Sequence, residues 1–275
     1  MESISELRKR LQEEKVRPSG WTRPFGYTTF QRGPSIYITR VLLKTRLTPN
    51  HITFACIVSG IIGALFMLGL ETPWKLLGII FLYFNIILDK VDGELARHHN
   101  TFSLKGIYWD EINHLIIPPL FWIFSAYGIL HISVFQQGLF MTTAALGAMA
   151  LMVNRIVHSL APQIYAKKYM KHPEHFPFSE KNMQDISLSP RHRFSLLRPI
   201  GHLIHQLQDF FIIISLSSLV LIFEYLFRRD YIFHPIFGWY IVGMSILFIL
   251  FACENMLRKG ALVTQHIEDI NASRK

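Results

Sequence analysis

Residues 52–70 read ITFACIVSGIIGALFMLGL, a run of 19 residues without a charged side chain. A helix of that length spans about 30 Å, which is the thickness of the hydrocarbon core of a bilayer. Five further runs are uncharged or nearly so; they cover residues 74–88, 115–130, 134–153, 210–227 and 236–253. We therefore predict an all-α membrane protein with six transmembrane helices.

The composition and the distribution of charge agree with this interpretation. Only 17% of the 275 residues are charged, whereas a soluble domain usually has about 25%. The net charge of +9 would suggest a nucleic-acid partner in a soluble protein, but 25 of the 28 Lys and Arg residues lie in the termini and in alternate connections. By the positive-inside rule, both termini face the cytosol, in a bacterial inner membrane or an ER-type membrane. We expect the partner of the basic residues to be the lipid bilayer, with no nucleic acid.

The segments outside the apolar runs suggest a simple organisation. Residues Ser35–Arg46, after Pro34, mix apolar and basic side chains, which is typical of an amphipathic helix at the membrane interface. The basic face of this helix could instead help to bind an anionic substrate. We predict three parts: a cytosolic N-terminal tail (1–33), a membrane domain (34–257) that includes a cytosolic loop (160–207), and a cytosolic C-terminal tail (258–275).

Two carboxylates end the second apolar run, at Asp89 and Asp92. Placing a carboxylate in a membrane segment costs free energy unless a polar partner or a bound ion compensates its charge. On a helix they share one face with Gly93, Ala96 and Arg97. Two carboxylates at this spacing can hold a hard divalent cation, and an Arg fork suits a phosphate. The two small residues leave space for a flat ligand to approach the backbone.

A second set of residues follows at a spacing of four: Gly106, Asp110 and His114. A short turn between the two helices would place Asp110 and His114 opposite the two carboxylates of the preceding helix. We expect a cluster of three carboxylates and one imidazole near the cytosolic surface. Glu111 lies about 100° away around the helix and should be outside the cluster.

The whole pattern D-x2-D-G-x2-A-R-x8-G-x3-D, from Asp89 to Asp110, resembles the signature of the CDP-alcohol phosphotransferases, also called CDP-alcohol phosphatidyltransferases. The element Pro49-Asn50-x2-Thr53 at the start of the first apolar run is similar to another element of that family. Six membrane helices after an interfacial helix also resemble its architecture.

The resemblance implies a function for each matching residue. Mg²⁺ or Mn²⁺ would bind to Asp89, Asp92 and Asp110. The CMP portion of a CDP-alcohol donor would be held by Gly93, Ala96 and Arg97, with Asn50 and Thr53 completing its pocket. An acceptor hydroxyl would attack the phosphorus that carries the alcohol, and CMP would leave. The family also implies a homodimer.

His114 departs from the family pattern, which usually has an Asp acting as a base at this position. An imidazole has an ordinary pKa of about 6.5, so it can accept a proton at pH 7. As a metal ligand it would suit Mn²⁺ better than Mg²⁺. We expect His114 to be the base. A different role in an active enzyme, or a non-catalytic relative that only binds lipid and nucleotide, are the alternatives.

The substrates are less constrained by the sequence. On family frequency we expect CDP-diacylglycerol as the donor and a polar alcohol as the acceptor; the alternative is transfer of the phosphocholine or phosphoethanolamine group from CDP-choline or CDP-ethanolamine to diacylglycerol. Arg155 could neutralise a phosphorylated acceptor or simply anchor its helix. An ion transporter is a rival class, but transport sites usually lie near the bilayer midplane, between discontinuous helices.

Overall fold

A computed structural model describes residues 3–16, 26–69, 71–101, 103–129, 133–171, 209–227 and 230–272. Within these ranges the chain is helical and has no strand. A π-helical turn, Tyr27–Gln31, precedes α2. The α-helices are α1 (Ile4–Val16), α2 (Arg32–Leu42), α3 (Pro49–Phe66), α4 (Thr72–His99), α5 (Leu104–Tyr127), α6 (Val134–Lys171), α7 (Phe210–Phe227) and α8 (Asp230–Ala272).

Each of the six apolar runs lies wholly or mostly within one of the six long helices, α3 to α8. In the part of the chain that the structure describes, three segments are long and apolar enough to cross a bilayer by themselves: Pro49–Phe66, Val134–Val157 and Ile236–Leu257. A shorter apolar segment, Phe210–Phe223, lies in α7. The chain is thus a helical integral membrane protein.

The core is formed where the long helices pack on one another. α3 packs closely on both α4 and α5, α6 packs on α5 and α8, and α7 packs on α4. Phe121 and Trp122 of α5 are fully buried in this core. The indole Nε1 of Trp122 donates a hydrogen bond of 2.8 Å to the Ser245 hydroxyl of α8, which satisfies a polar group that lipid could not.

Two glycines allow α3 and α4 to approach each other. A Cβ atom on Gly63 would lie 2.9 Å from the Gly78 carbonyl oxygen, and one on Gly78 would lie 2.7 Å from the Gly63 carbonyl oxygen. Small residues at such crossings let membrane helices pack backbone to backbone. The close crossing holds the two helices that carry Thr53 and Asp92.

A short turn joins α4 to α5. Asn100 ends α4 in the left-handed conformation, with φ of 52°, and its own N–H caps the helix. The hydroxyl of Ser103 then accepts a hydrogen bond of 2.9 Å from the Gly106 N–H, which caps the start of α5. The turn returns the chain toward α4, but in the described part of the chain α4 and α5 pack mainly on α3 and only slightly on each other.

α1 lies in the predicted N-terminal tail and packs on α2. Leu7 and Leu11 of α1 are buried against Ile36 of α2, forming a small apolar cluster. At the start of α1, the Ser3 backbone N–H and hydroxyl both donate to Glu6. These bonds hold the pKa of the Glu6 carboxyl below its usual value.

Two segments that the sequence analysis placed outside the long helices are partly helical. α6 continues to Lys171, so the predicted loop 160–207 begins as a helix. The remainder of that loop lies outside the described residues. α8 continues to Ala272 and includes most of the predicted C-terminal tail.

Candidate active site

Three side chains meet between the C-terminal half of α4 and the N-terminal half of α5. Nε2 of His114 lies 3.3 Å from Oδ1 of Asp89 and 3.6 Å from Oδ1 of Asp110. The three residues, called the Asp89 cluster below, each offer a ligand atom within 4.8 Å of the others. Asp89 is buried, whereas Asp110 and His114 are partly exposed. The cluster is therefore open to a ligand on the α5 side.

Lys90 lies beside this cluster and forms an ion pair with Oδ2 of Asp89. Its ammonium nitrogen is also 5.8 Å from the ring centroid of Tyr27, within the range of a cation–π contact. Lys90 thus balances part of the negative charge of Asp89 from the side opposite His114. The sequence analysis did not identify this role.

Asp92 is separate from the Asp89 cluster. Its Oδ2 accepts a hydrogen bond of 2.7 Å from the hydroxyl of Thr53 on α3. The predicted four-residue cluster thus divides into three residues that meet and one that is held one turn further along α4. The bond also joins Thr53, from the Pro-Asn-x-x-Thr element, to the longer motif.

Asn50 contacts the second half of the motif. Its Oδ1 accepts a hydrogen bond of 3.0 Å from the hydroxyl of Ser103. A Cβ atom on Gly106 would lie 3.0 Å from the same oxygen, so a larger residue there would crowd Asn50. The structure therefore brings the start of α3 against the start of α5, at the edge of the groove between α4 and α5.

Arg97 folds back along α4 over Gly93. A Cβ atom on Gly93 would be 3.4 Å from Nη1 of Arg97, so a side chain at position 93 would crowd the guanidinium. Nε donates a hydrogen bond of 2.9 Å to the Leu11 carbonyl oxygen of α1. Among the described residues, none accepts a hydrogen bond from the buried Nη2. Ala96, one residue before Arg97, is half-buried.

Glu94 lies on another face of α4 and is fully buried. Its carboxylate accepts hydrogen bonds from four side chains, at 2.7, 3.1, 2.7 and 2.6 Å, respectively, from Gln12, Arg32, Ser35 and Thr39. We call these five residues the Glu94 cluster. It fixes α1 and α2 to α4, and the sequence analysis missed it. An available signal was the charged Glu94 between the apolar Val91 and Leu95.

A buried amide pair lies beneath the Asp89 cluster. Nδ2 of Asn85 donates to Oδ1 of Asn113 at 2.8 Å and to the Cys56 carbonyl oxygen at 2.9 Å. Asn85 precedes Asp89 by four residues, and Asn113 is next to His114. The pair thus ties α3, α4 and α5 together directly below the residues that meet.

Glu111 lies outside the Asp89 cluster, as expected. Nε and Nη2 of Arg155 donate to its two carboxylate oxygens at 3.0 and 2.9 Å. Both side chains are substantially exposed. The fork of Arg155 is therefore engaged by a carboxylate of the same chain, which favours an anchoring role over capture of a phosphorylated acceptor.

The donor set of the Asp89 cluster fits a divalent cation. Carboxylate oxygens are the ligands that Mg²⁺ prefers, and an imidazole nitrogen beside them is acceptable to Mn²⁺. Two carboxylates that face one imidazole at 3.3 and 3.6 Å also leave negative charge that a cation would balance.

The match to known families covers this same site. Residues 46–179 match the family model of the CDP-alcohol phosphatidyltransferases. The chain contains a CDP-alcohol phosphatidyltransferase domain. Members of this family are transferases of substituted phosphate groups, and the enzyme belongs to that class. A search of curated proteins found no significant match to the chain.

The matched range has a structural meaning. It begins just before α3 and includes α3, α4, α5 and α6, and so every residue of the Asp89 cluster. It is shorter than the predicted membrane domain 34–257. The helices α1, α2, α7 and α8 of the transferase lie outside it.

Proposed function

We propose that the enzyme transfers a substituted phosphoryl group from CDP-diacylglycerol to an acceptor hydroxyl, with release of CMP, in phospholipid synthesis. The observation that carries this proposal is the Asp89 cluster, which lies within the matched domain, between the C-terminal half of α4 and the N-terminal half of α5. A site of two carboxylates and one imidazole at these distances supports metal-assisted phosphoryl transfer.

The proposed ligands of Mg²⁺ or Mn²⁺ are Asp89, Asp92 and Asp110; His114 is a ligand only in the alternative in which it is not the base, because a metal-bound Nε2 cannot accept a proton. Asp92 would join this set from its position beside Thr53, one turn along α4. A bound cation would supply positive charge beside the pyrophosphate of the donor. The proposed pocket for the CMP portion consists of Asn50, Thr53, Gly93, Ala96 and Arg97.

The proposed chemistry follows from the positions of these groups. The acceptor oxygen forms a bond to the phosphorus that carries the alcohol, and the P–O–P bond of the donor breaks. CMP leaves with the bonding electron pair, near Arg97, whose guanidinium stabilises the charge. The proton of the acceptor hydroxyl passes to His114. The carboxylates of Asp89 and Asp110, at 3.3 and 3.6 Å from Nε2, stabilise the imidazolium that forms.

We propose the following membrane arrangement. All six long helices cross the bilayer, and α2 lies at the interface, where Tyr37 and Val41 expose apolar surface. Both termini and the active site face the cytosol, as the distribution of Lys and Arg indicates. We further propose that the enzyme is a homodimer, as the family resemblance implies.

The proposal is tested by CMP release from the purified protein in lipid nanodiscs. CDP-diacylglycerol, CDP-choline and CDP-ethanolamine are offered separately, each with Mg²⁺ or Mn²⁺. A pool of polar alcohols and diacylglycerol supplies the acceptors. We expect release from CDP-diacylglycerol that requires the metal and a polar alcohol. Release from CDP-choline or CDP-ethanolamine with diacylglycerol would assign the enzyme to the other substrate branch. No release from any donor would contradict the proposed function.

A further inference from the structure

α1 lies outside the matched domain and yet contacts the motif helix α4 directly. Leu7 and Leu11 anchor α1 on Ile36, and this anchoring buries the Gln12 side chain between α2 and α4. Nε2 of Gln12 lies 2.7 Å from Oε1 of Glu94 and 2.9 Å from the Arg32 carbonyl oxygen. The position of α1 along α4 is therefore fixed by polar contacts as well as by apolar packing.

The neighbouring residue of α1 holds Arg97. The Leu11 carbonyl oxygen accepts the hydrogen bond from Nε of Arg97, at 2.9 Å. Glu94 and Arg97 are three residues apart on α4, and Leu11 and Gln12 are adjacent on α1. Gln12 binds Glu94, which lies one turn before Arg97 on α4. This contact fixes the position of α1, and therefore the position at which the Leu11 carbonyl oxygen meets the Arg97 guanidinium.

The remaining part of the guanidinium is poised for an anionic ligand. Its Nη1 lies over Gly93, where no side chain blocks access to the backbone. Its Nη2 is buried, and no acceptor for it exists among the described residues. A buried N–H without an acceptor is unfavourable, so its persistence points to a ligand oxygen as the partner. A phosphate oxygen fits because it accepts charge-assisted bonds from a guanidinium.

We propose that α1 is a working part of the donor site, in which Gln12 is a positioning residue that holds Arg97 ready for a phosphate of the CDP-alcohol. This inference rests on the proposed function. A flexible Arg side chain loses conformational freedom when it binds a phosphate. The contact with the Leu11 carbonyl restricts that freedom before the donor arrives, and so strengthens donor binding.

The first test compares Gln12→Met with Arg8→Met in the full-length enzyme. Gln12→Met keeps the length of the side chain and the apolar anchors of α1 but removes the donor to Glu94. Arg8→Met alters the same helix at its contact with the Tyr37 ring, away from Glu94. We expect Gln12→Met to raise the KM for CDP-diacylglycerol about tenfold with kcat within about twofold, as loss of uniform binding predicts. Arg8→Met should leave both constants unchanged.

A double-mutant cycle separates positioning from a general loss of structure. If Gln12 acts through Arg97, then Gln12→Met should have no further effect on KM in an Arg97→Met background. An additive effect in that background, or an unchanged KM in Gln12→Met alone, would overturn the inference. Either result would leave the proposed function intact.

A second measurement does not depend on activity. Phenylglyoxal modifies exposed guanidinium groups, and the extent of its reaction at Arg97 can be measured by peptide mass spectrometry. We expect Arg97 to be protected in the wild type and in Arg8→Met, and to react several-fold faster in Gln12→Met. Equal protection in all three proteins would contradict the positioning role, even if every activity assay failed and the proposed function had to be abandoned.

Discussion

Two acidic clusters lie on α4, and they differ in how their charges are balanced. Glu94 is fully buried and accepts hydrogen bonds from four side chains of α1 and α2. Five residues earlier, roughly 140° around the helix, Asp89 shares an imidazole with a second carboxylate, Asp110. The carboxylate of the Glu94 cluster is fully compensated by its donors, whereas the carboxylates of the Asp89 cluster are only partly compensated. The Asp89 cluster is also open on the α5 side.

This difference indicates which cluster serves structure and which serves chemistry. Buried charges are retained when donors and opposite charges compensate for the loss of water. The compensation is provided for Glu94 by Arg32 and three neutral donors, so a change there should affect folding. The compensation for Asp89 and Asp110 is partial, so a change there should affect ligand binding and turnover. The predictions below test this contrast.

The largest effect is expected from removal of a charge in the Asp89 cluster. Asp89→Asn or Asp110→Asn should lower CMP formation by about 100-fold or more, because each removes a carboxylate that would hold the metal ion beside the donor. The melting temperature in detergent should not fall in Asp110→Asn, because this change removes one of two facing carboxylates and leaves the ion pair of Asp89 with Lys90 intact. Glu111→Gln on α5 is the matched control and should stay within about twofold of the wild-type rate. Wild-type rates in both Asp variants would remove the proposed metal site.

His114 is expected to have a similarly large effect, confined to turnover. His114→Ala should reduce kcat about 100-fold with little change in the KM for the donor, as loss of a general base predicts. Steady-state kinetics with the donor that the CMP-release assay identifies would measure both constants. His114→Asp should recover activity if the usual carboxylate can work in this site. Unchanged turnover in His114→Ala would rule out the base assignment.

The Glu94 cluster should show the opposite behaviour. Glu94→Gln leaves Arg32 without its carboxylate partner at 3.1 Å, in a buried site. The cost of breaking such a pair is about 3 kcal/mol. We expect a lower melting temperature in detergent, measured together with that of Asp110→Asn under the same conditions. If Asp110→Asn were the less stable of the two variants, the contrast between the clusters would be reversed.

The smallest effect is expected at the exposed pair of Glu111 and Arg155. Surface ion pairs contribute about 1 kcal/mol or less, so Arg155→Met should change neither stability nor the KM for the donor appreciably. The acceptor dependence of CMP release provides the sharper measurement. A large rise in the KM for an anionic acceptor would show that Arg155 leaves Glu111 to bind that acceptor. Arg155 would then neutralise a phosphorylated acceptor instead of only anchoring its helix.

Much of the fold could be predicted because the signals are local. Apolar runs located the six long helices, and the spacing of Asp89, Asp110 and His114 indicated that they would face one another across a short turn. Helical periodicity alone carries that information. The departure of Asp92 from the cluster depends on Thr53 of α3, and thus on a tertiary contact that the periodicity of α4 does not contain.

The docking of α1 could not be derived in the same way. Its charged sequence is typical of a solvated helix, and among the side chains of α1 that the structure describes, Leu7, Leu11 and Gln12 are the buried ones. The contacts of Glu94 join residues 55 to 82 positions apart in the chain. Pairings at that separation depend on the assembled fold, and a single sequence gives no register for them.

The most direct test of the central claim is Mn²⁺ binding to the purified protein, measured by electron paramagnetic resonance of the free ion. The titration needs no substrate, so it examines the Asp89 cluster apart from the identity of donor and acceptor. We predict saturable binding by the wild type and by Glu111→Gln, and loss of that binding in Asp110→Asn. Equal Mn²⁺ binding by wild type and Asp110→Asn would contradict the assignment of this cluster as the metal site.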